Sequence, residues 1–370
     1  MATGSMIGFP ERSAIGAISG TSMDGIDVAF LKTDGTRVAR TGLGKSYPYP
    51  DALRRELLAF LRDPSLAERD PLAQLEAKVT EAHVQAVALF MREFHVEGKN
   101  VDVVGMHGQT VWHRPERRFT RQLVDGVHAA RRLGLDVVTR FRDADVAAGG
   151  QGAPFAPLYH RALAAGFSEP LMVLNLGGVG NVTYLDAETT LAFDTGPASA
   201  LLDDFVRRRR NMPFDAGGAL AAAGTVDQTV LAELMANPFF AAKPPKSLDR
   251  NDFHARAKIV DALGDADGAA TLAAFTVAAT AAANLHVPQT PRRWLVAGGG
   301  RLNAAFIEGL REALGVPVEP VETVGWNGDF LEAELFAFLA VRSLCGLPLS
   351  LPTTTGVPHP MPGGRLARAP

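Results

Sequence analysis

The chain holds 370 residues, uncomfortable as one hydrophobic core but ordinary for two domains, so two lobes facing a cleft are expected. With 37 Lys+Arg against 40 Asp+Glu the net charge is only -3, which excludes the global basic field that nucleic-acid binding needs and points to a small-molecule ligand. The single cysteine, Cys345, excludes an internal disulfide framework and a zinc site built on Cys pairs, in keeping with a reducing cytoplasmic setting.

Residues 1–13 have no apolar core of signal-peptide length and read as a flexible leader. An apolar run at 14–18, a Gly/Ser/Thr turn and a second run at 26–31 predict a hairpin. Leu, Ala and Val then recur at three-to-four spacing over 53–94, a helical pattern. A strand at 101–106 would deliver His107-Gly108-Gln109-Thr110 to its carboxyl end, where α/β proteins bind ligands. The first hairpin's pattern returns at 171–185, around a glycine turn at 177–180, and two copies so far apart predict two related lobes. A helix at 200–209 ends in Arg207–Arg210, read as a solvated face. The stretch 269–287 has no charge before His286, yet it is mostly Ala and Thr and reads as a buried helix rather than a membrane span. A strand at 294–297 runs into Gly298-Gly299-Gly300 and a helix at 303–314. The apolar helix 331–344 is expected between the lobes, before a Pro/Gly-rich tail, 348–370, that reads as loop. The expected division is a leader 1–13, an N-terminal lobe 14–165 and a C-terminal lobe 166–370, with helix 331–344 able to pack back on the first.

A phosphate needs backbone N–H donors at close range, hydroxyls and a cation. The turn Gly20-Thr21-Ser22-Met23-Asp24-Gly25-Ile26-Asp27 offers the first two, and Asp24 or Asp27 could hold Mg²⁺ directly or through water. By itself such a turn is equally a Ser/Thr-capped hairpin. Gly177 and Gly178 in the second hairpin, and Gly298, Gly299 and Gly300 at the later strand-to-helix junction, add two more glycine-lined surfaces, the set that a clamped nucleotide requires. Asp194, ending an apolar segment before Thr195-Gly196-Pro197, is the candidate general base, with a simple turn cap as the alternative. His107 and Gln109 suit hydrogen bonding to hydroxyls, while His107, His113 and His128 lack metal-ligand spacing. Arg140 and Arg142, ahead of the glycine-dense loop 145–154 with Gln151 and Gly152, suit an anionic substrate.

Together these motifs resemble the anhydro-N-acetylmuramic acid kinases of the acetate and sugar kinase, Hsc-type chaperone and actin superfamily. The likeness is carried by Gly-Thr-Ser-Met-Asp-Gly-Ile-Asp at 20–27, His-Gly-Gln-Thr at 107–110, the loop 145–154, Asn-Leu-Gly-Gly at 175–178, Phe-Asp-Thr-Gly-Pro at 193–197 and Gly-Gly-Gly at 298–300. The resemblance implies a two-lobed actin-like ATPase fold, each lobe a mixed β-sheet flanked by helices, with the active site in the interlobe cleft. It implies ATP and Mg²⁺, a homodimer without nucleic-acid or membrane partners, Asp194 as the base that activates water, and Glu332 as a supporting group. The reaction implied opens the 1,6-anhydro bridge with water and phosphorylates O6, in peptidoglycan recycling. The chain departs from the family at Ala198 and Ser199, where Gly-Asn is common, at Leu248 and Asp249, where Thr-Gly is usual, and at Asp143. A kinase for another anhydro-sugar such as levoglucosan, and a non-catalytic nucleotide switch, are the alternatives.

Overall fold

The computed structural model describes residues 9–20, 23, 25–68, 70, 72–248 and 252–370. The chain forms two compact units, one from Met1–Ala165 with Phe330–Pro370 and the other from Gly166–Asp329. This corrects the division expected above: 330–370 belongs with the first unit. Its apolar helix, Leu331–Leu344, is buried there on almost every side, and a short segment of the tail joins the first unit's sheet.

Strands in chain order are β1 (Arg12–Ser19), β2 (Gly25–Thr33), β3 (Val38–Pro48), β4 (Val103–Arg114), β5 (Phe119–Leu123), β6 (Val137–Thr139), β7 (Leu171–Leu176), β8 (Val179–Leu185), β9 (Thr190–Pro197), β10 (Arg293–Ala297), β11 (Val318–Pro320) and β12 (Arg365–Ala367). In the first unit the order is β12-β6-β4-β1-β2-β3, with β5 paired to β4; in the second it is β11-β10-β7-β8-β9. In each, an antiparallel three-stranded meander comes first, and its first strand then pairs in parallel with the next strand of the sheet, β1 with β4 and β7 with β10. The same connectivity written twice is a duplicated actin-like α/β fold, foreshadowed by the two hairpin patterns. Residues 12 and 13, expected in the leader, already pair with β2; residues 1–8 lie outside the described residues.

Alternation along β1 explains how one strand serves two layers. Ile15 and Ala17 join a core with Val79 and Val87 of the helix Ala73–Glu93. Gly16 faces the other way, where a Cβ would stand 1.8 Å from Ala333 O; its partner across the ladder, Gly105, would bring one to 2.0 Å from Phe336 O. The helix Leu331–Leu344 therefore lies on bare backbone. The helical region expected over 53–94 is interrupted: Asp51–Phe60 and Ala73–Glu93 are separate helices with a 3₁₀ turn, Pro64–Glu68, between them, because Pro64 cannot donate to a continuing helix.

The second unit's core gathers Phe193, Phe205, Phe240, Phe253, Phe275 and Phe306. The stretch Asp265–His286 is long and apolar enough to cross a membrane by length and composition, but 61% of its apolar window is buried inside the protein. Arg207–Arg210 are exposed as expected, and they are ion-paired with Asp204, Asp261 and Asp265.

Candidate active site

In the first unit, the described edges of the phosphate-loop candidate are tied down. Gly20 O accepts from Met23 N at 3.2 Å and from Gln109 Nε2 at 3.3 Å, while Met23 O accepts from Arg54 Nε at 2.9 Å. Met23 takes a positive φ of 53° and buries its side chain. Thr21, Ser22 and Asp24 lie outside the described residues. Gly25, Ile26 and Asp27 begin β2, and the half-buried Asp27 carboxylate accepts from Ser46 Oγ.

Gln109 requires a correction. Rather than facing substrate, its amide is fully buried, with Nε2 donating to Gly20 O and Thr110 O and Oε1 accepting from Ser19 Oγ at 2.7 Å. Tyr49 OH completes the chain by donating to Ser19 Oγ at 2.8 Å. Gln109 is thus a brace between β4 and the loop. Tyr49 and Arg54 carried no local sequence signal, because each reaches the loop from about 30 residues further along the chain.

His107 does not follow its strand but sits inside β4, at a bulge where Ala17 pairs with Met106 and Ile18 with Gly108. Gly108 has φ 75°, and the extra residue re-aims the histidine. Its Nδ1 donates to Gly108 O at 3.0 Å, and Nε2 accepts from Arg142 Nε at 3.0 Å. Burial and the Arg142 charge hold its pKa well below the usual histidine range, so it is neutral. Arg142 also donates from Nη1 to Gly152 O and lies over the Phe155 ring; burial lowers its pKa to about 10, against the opposing charges of Glu332 and Asp145.

The loop 145–154 is organised by Asp145, whose carboxylate accepts from Gly152 N, Ser350 Oγ and Thr355 Oγ1. Gln151 N donates to Thr355 O, and His113 Nε2 donates to Gln151 O at 2.9 Å. His107, Arg142, Gln151 and Gly152 therefore form one cluster, with the exposed Glu332 opposite Arg142. Glu332 still reaches solvent, yet desolvation by the protein around it raises its carboxyl's pKa, against the Arg142 charge and with the like charge of Asp27. The tail, read as loop, supplies Ser350, Thr355 and β12. Asp143 pairs with Arg140 at the surface at 3.3 Å. Among the described residues, no group of three His, Cys, Asp or Glu is placed to hold a metal ion.

In the second unit, Gly177 O accepts from both Ser199 N, at 3.0 Å, and Ser199 Oγ, at 2.6 Å, while Gly178 O accepts from Ala198 N at 3.0 Å. The departure at Ser199 thus stitches the glycine turn to the start of the helix Ser199–Arg210. Gly298, at φ 75°, and Gly300 press on Asn175 and Leu176, whereas a Cβ on Gly299 would meet nothing within 4 Å. Gly299 is the open member of the three.

Asp194 lies within β9, beside a bulge where Gly180 pairs with Gly196 and Asn181 with Asp194. Its Oδ2 accepts from Leu248 N at 2.8 Å, and its own N–H donates to Lys246 O at 3.0 Å. Because a backbone amide makes the first contact, the departure at Leu248 leaves it in place; Asp249 lies outside the described residues. Desolvation raises the Asp194 pKa to about 7, against the Leu248 amide and the Lys246 charge. A carboxyl near 7 is suited to accept a proton at neutral pH.

A profile of the anhydro-N-acetylmuramic acid kinase family matches residues 12–367. The anhydro-N-acetylmuramic acid kinase of Acidiphilium cryptum is 55% identical over 359 residues, covering 96% of this chain and 98% of its own. That of Rhodospirillum rubrum is 51% identical over 353 residues, covering 95% and 93%. Among solved structures, a component of (R)-2-hydroxyglutaryl-CoA dehydratase from Acidaminococcus fermentans aligns over 90% of this chain and 99% of its own, at 10% identity and a TM-score of 0.46. The profile match and the identity to these curated relatives together establish that the chain belongs to the anhydro-N-acetylmuramic acid kinase family.

Proposed function

We propose that the chain is an ATP-dependent kinase that opens 1,6-anhydro-N-acetylmuramic acid with water and phosphorylates O6, giving N-acetylmuramic acid 6-phosphate and ADP. What supports the reading most is Asp194: a carboxyl with one oxygen fixed by the Leu248 amide and a pKa near 7, within the Asp-Thr-Gly-Pro segment of β9.

In this reading Asp194 takes a proton from water as its oxygen attacks C1. The C1–O6 bond breaks, and O6 takes the γ-phosphoryl group as the bond to the ADP oxygen breaks. Capture by phosphorus removes the need for a second carboxyl to protonate O6, which ordinary glycoside hydrolases require. Residues 20–27, Gly177, Gly178 and Gly298–Gly300 receive ATP. Arg142, oriented by neutral His107, pairs with the lactyl carboxylate, and Gln151, Gly152 and Glu332 line the sugar. Asp27 and Asp24 would hold Mg²⁺; like-charge repulsion between Asp27 and Glu332 fits a cation there. When bound, Mg²⁺ offsets charge on the phosphate oxygens. The lone cysteine supports a cytoplasmic setting, and a homodimer is the expected assembly, to be checked by light scattering.

The test is incubation with the anhydro-sugar, ATP and Mg²⁺ in ¹⁸O-water. The expected result is one ¹⁸O at C1 of a 6-phosphorylated product by mass spectrometry. Unlabelled product, or preferential phosphorylation of levoglucosan, would sink the reading.

A further inference from the structure

The segment that fixes Asp194 also carries a cation whose placement the reaction above leaves unused. Lys246 and Leu248 flank the Asp194 backbone and carboxylate through the two hydrogen bonds already described. The half-buried Lys246 side chain folds its ammonium back onto the protein, whereas the default for a lysine with its long stem is to extend it into water. It donates to Phe239 O at 2.9 Å and Phe240 O at 3.4 Å, 4.6 Å from the centre of the Phe239 ring and 5.7 Å from that of Phe193, the residue before Asp194. His286 closes the arrangement: its Nε2 donates to Phe240 O at 2.8 Å, stands 3.4 Å from Nζ, and its ring meets Phe193 edge-on at 5.7 Å.

We propose that Lys246 is a positioning residue for the catalytic base, its ammonium pinned by the Phe239 and Phe240 carbonyls so that its charge favours the ionised Asp194 carboxylate. The inference rests on the reading of Asp194 as the base. Among the described residues, Lys246 is the charged group acting on Asp194, while Asp194 acts on Lys246 and His286 is its titratable neighbour. Burial lowers the Lys246 amine to about 8, against the attraction of Asp194, itself near 7. While the lysine is charged, the ionised carboxylate is therefore favoured near neutral pH. The acid limb of the pH profile then belongs to the pair.

The test is the pH dependence of kcat/KM for wild type, Lys246→Met, Lys246→Arg and Asp194→Asn. Wild type should show an acid limb near 7. Lys246→Met should lift the acid limb by roughly one pH unit, about a tenfold loss on that limb, with KM for ATP unchanged. Lys246→Arg, which restores the charge, should keep the wild-type acid limb. An unshifted acid limb in Lys246→Met, or a Lys246→Arg limb displaced as far as that of Lys246→Met, overturns the proposal; Lys246→Gln, neutral and polar, takes the place of the methionine variant if that one fails to fold. If Asp194→Asn retains turnover with the wild-type profile, the base assignment itself has failed. If Asp194→Asn is inactive and the neutral lysine variants leave the acid limb in place, only the role of Lys246 has failed.

Discussion

Replacing Asp194 with Asn should remove the chemistry and, above neutral pH, make the protein more stable. Asn keeps an acceptor for the Leu248 amide, so the bond at 2.8 Å survives, and what is lost is an ionisable group whose folded-state pKa is raised from 3.8 to about 7. A raised pKa contributes stability that is fully present below the unfolded value and is lost as pH climbs through the folded one. Wild type and variant should therefore melt together near pH 4 and diverge between pH 4 and pH 7. The gap from 3.8 to about 7, at about 1.36 kcal/mol per pH unit, sets a ceiling of about 4 kcal/mol. Lys246, deprived of its opposite charge, offsets part of this, leaving roughly 1–3 kcal/mol. For a unit the size of Gly166–Asp329, that is a rise of about 3–10 °C in Tm at pH 8. Differential scanning calorimetry from pH 4.5 to 8.5 measures it. If the two melting curves stay superimposed at every pH, burial does not hold the Asp194 carboxyl near 7.

Four further substitutions probe the two units. Gly16→Ala drives a methyl to 1.8 Å from Ala333 O and should cost at least about 1–3 kcal/mol in urea unfolding, whereas Gly299→Ala, with open space around it, should unfold like wild type while raising KM for ATP. Arg40 holds the buried Glu334 carboxylate through Nε and Nη2 at 2.9–3.0 Å, with Tyr159 OH at 2.8 Å. Arg40→Met should cost about 3–5 kcal/mol by stranding that charge, and Tyr159→Phe about 1–3 kcal/mol; equal, small effects would mean that Glu334 reaches water.

The sequence disclosed what is local. Both hairpins, the strand into Gly298 and the apolar helix at 331–344 could be read because period and glycine punctuation are properties of neighbouring residues. Asp194 was legible as the end of an apolar run before Gly196-Pro197, but not its bulge, which depends on how β8 pairs with β9. Gln109 was misread for the same reason: its partners, Ser19 and Gly20, lie about 90 residues away. Asp145 stood in a recognised loop, yet the hydroxyls that saturate it come from Ser350 and Thr355, more than 200 residues later, in a tail whose composition said only loop. Lys246 could not be connected to Asp194 from spacing, because the segment that folds back is joined to it by backbone contacts that any residue could make.

The glycine pair beneath the helix Leu331–Leu344 bears on the order in which the chain can fold. Gly16 and Gly105 present bare backbone that this helix covers, and β6 gains its outer partner, β12, only at 365–367. During synthesis from the N-terminus, the first unit must wait with that face uncovered while the whole of Gly166–Asp329, contiguous in sequence, is made and free to fold. The unit begun first is thus the one finished last, and its exposed sheet is the surface that a nascent chain would need to shield.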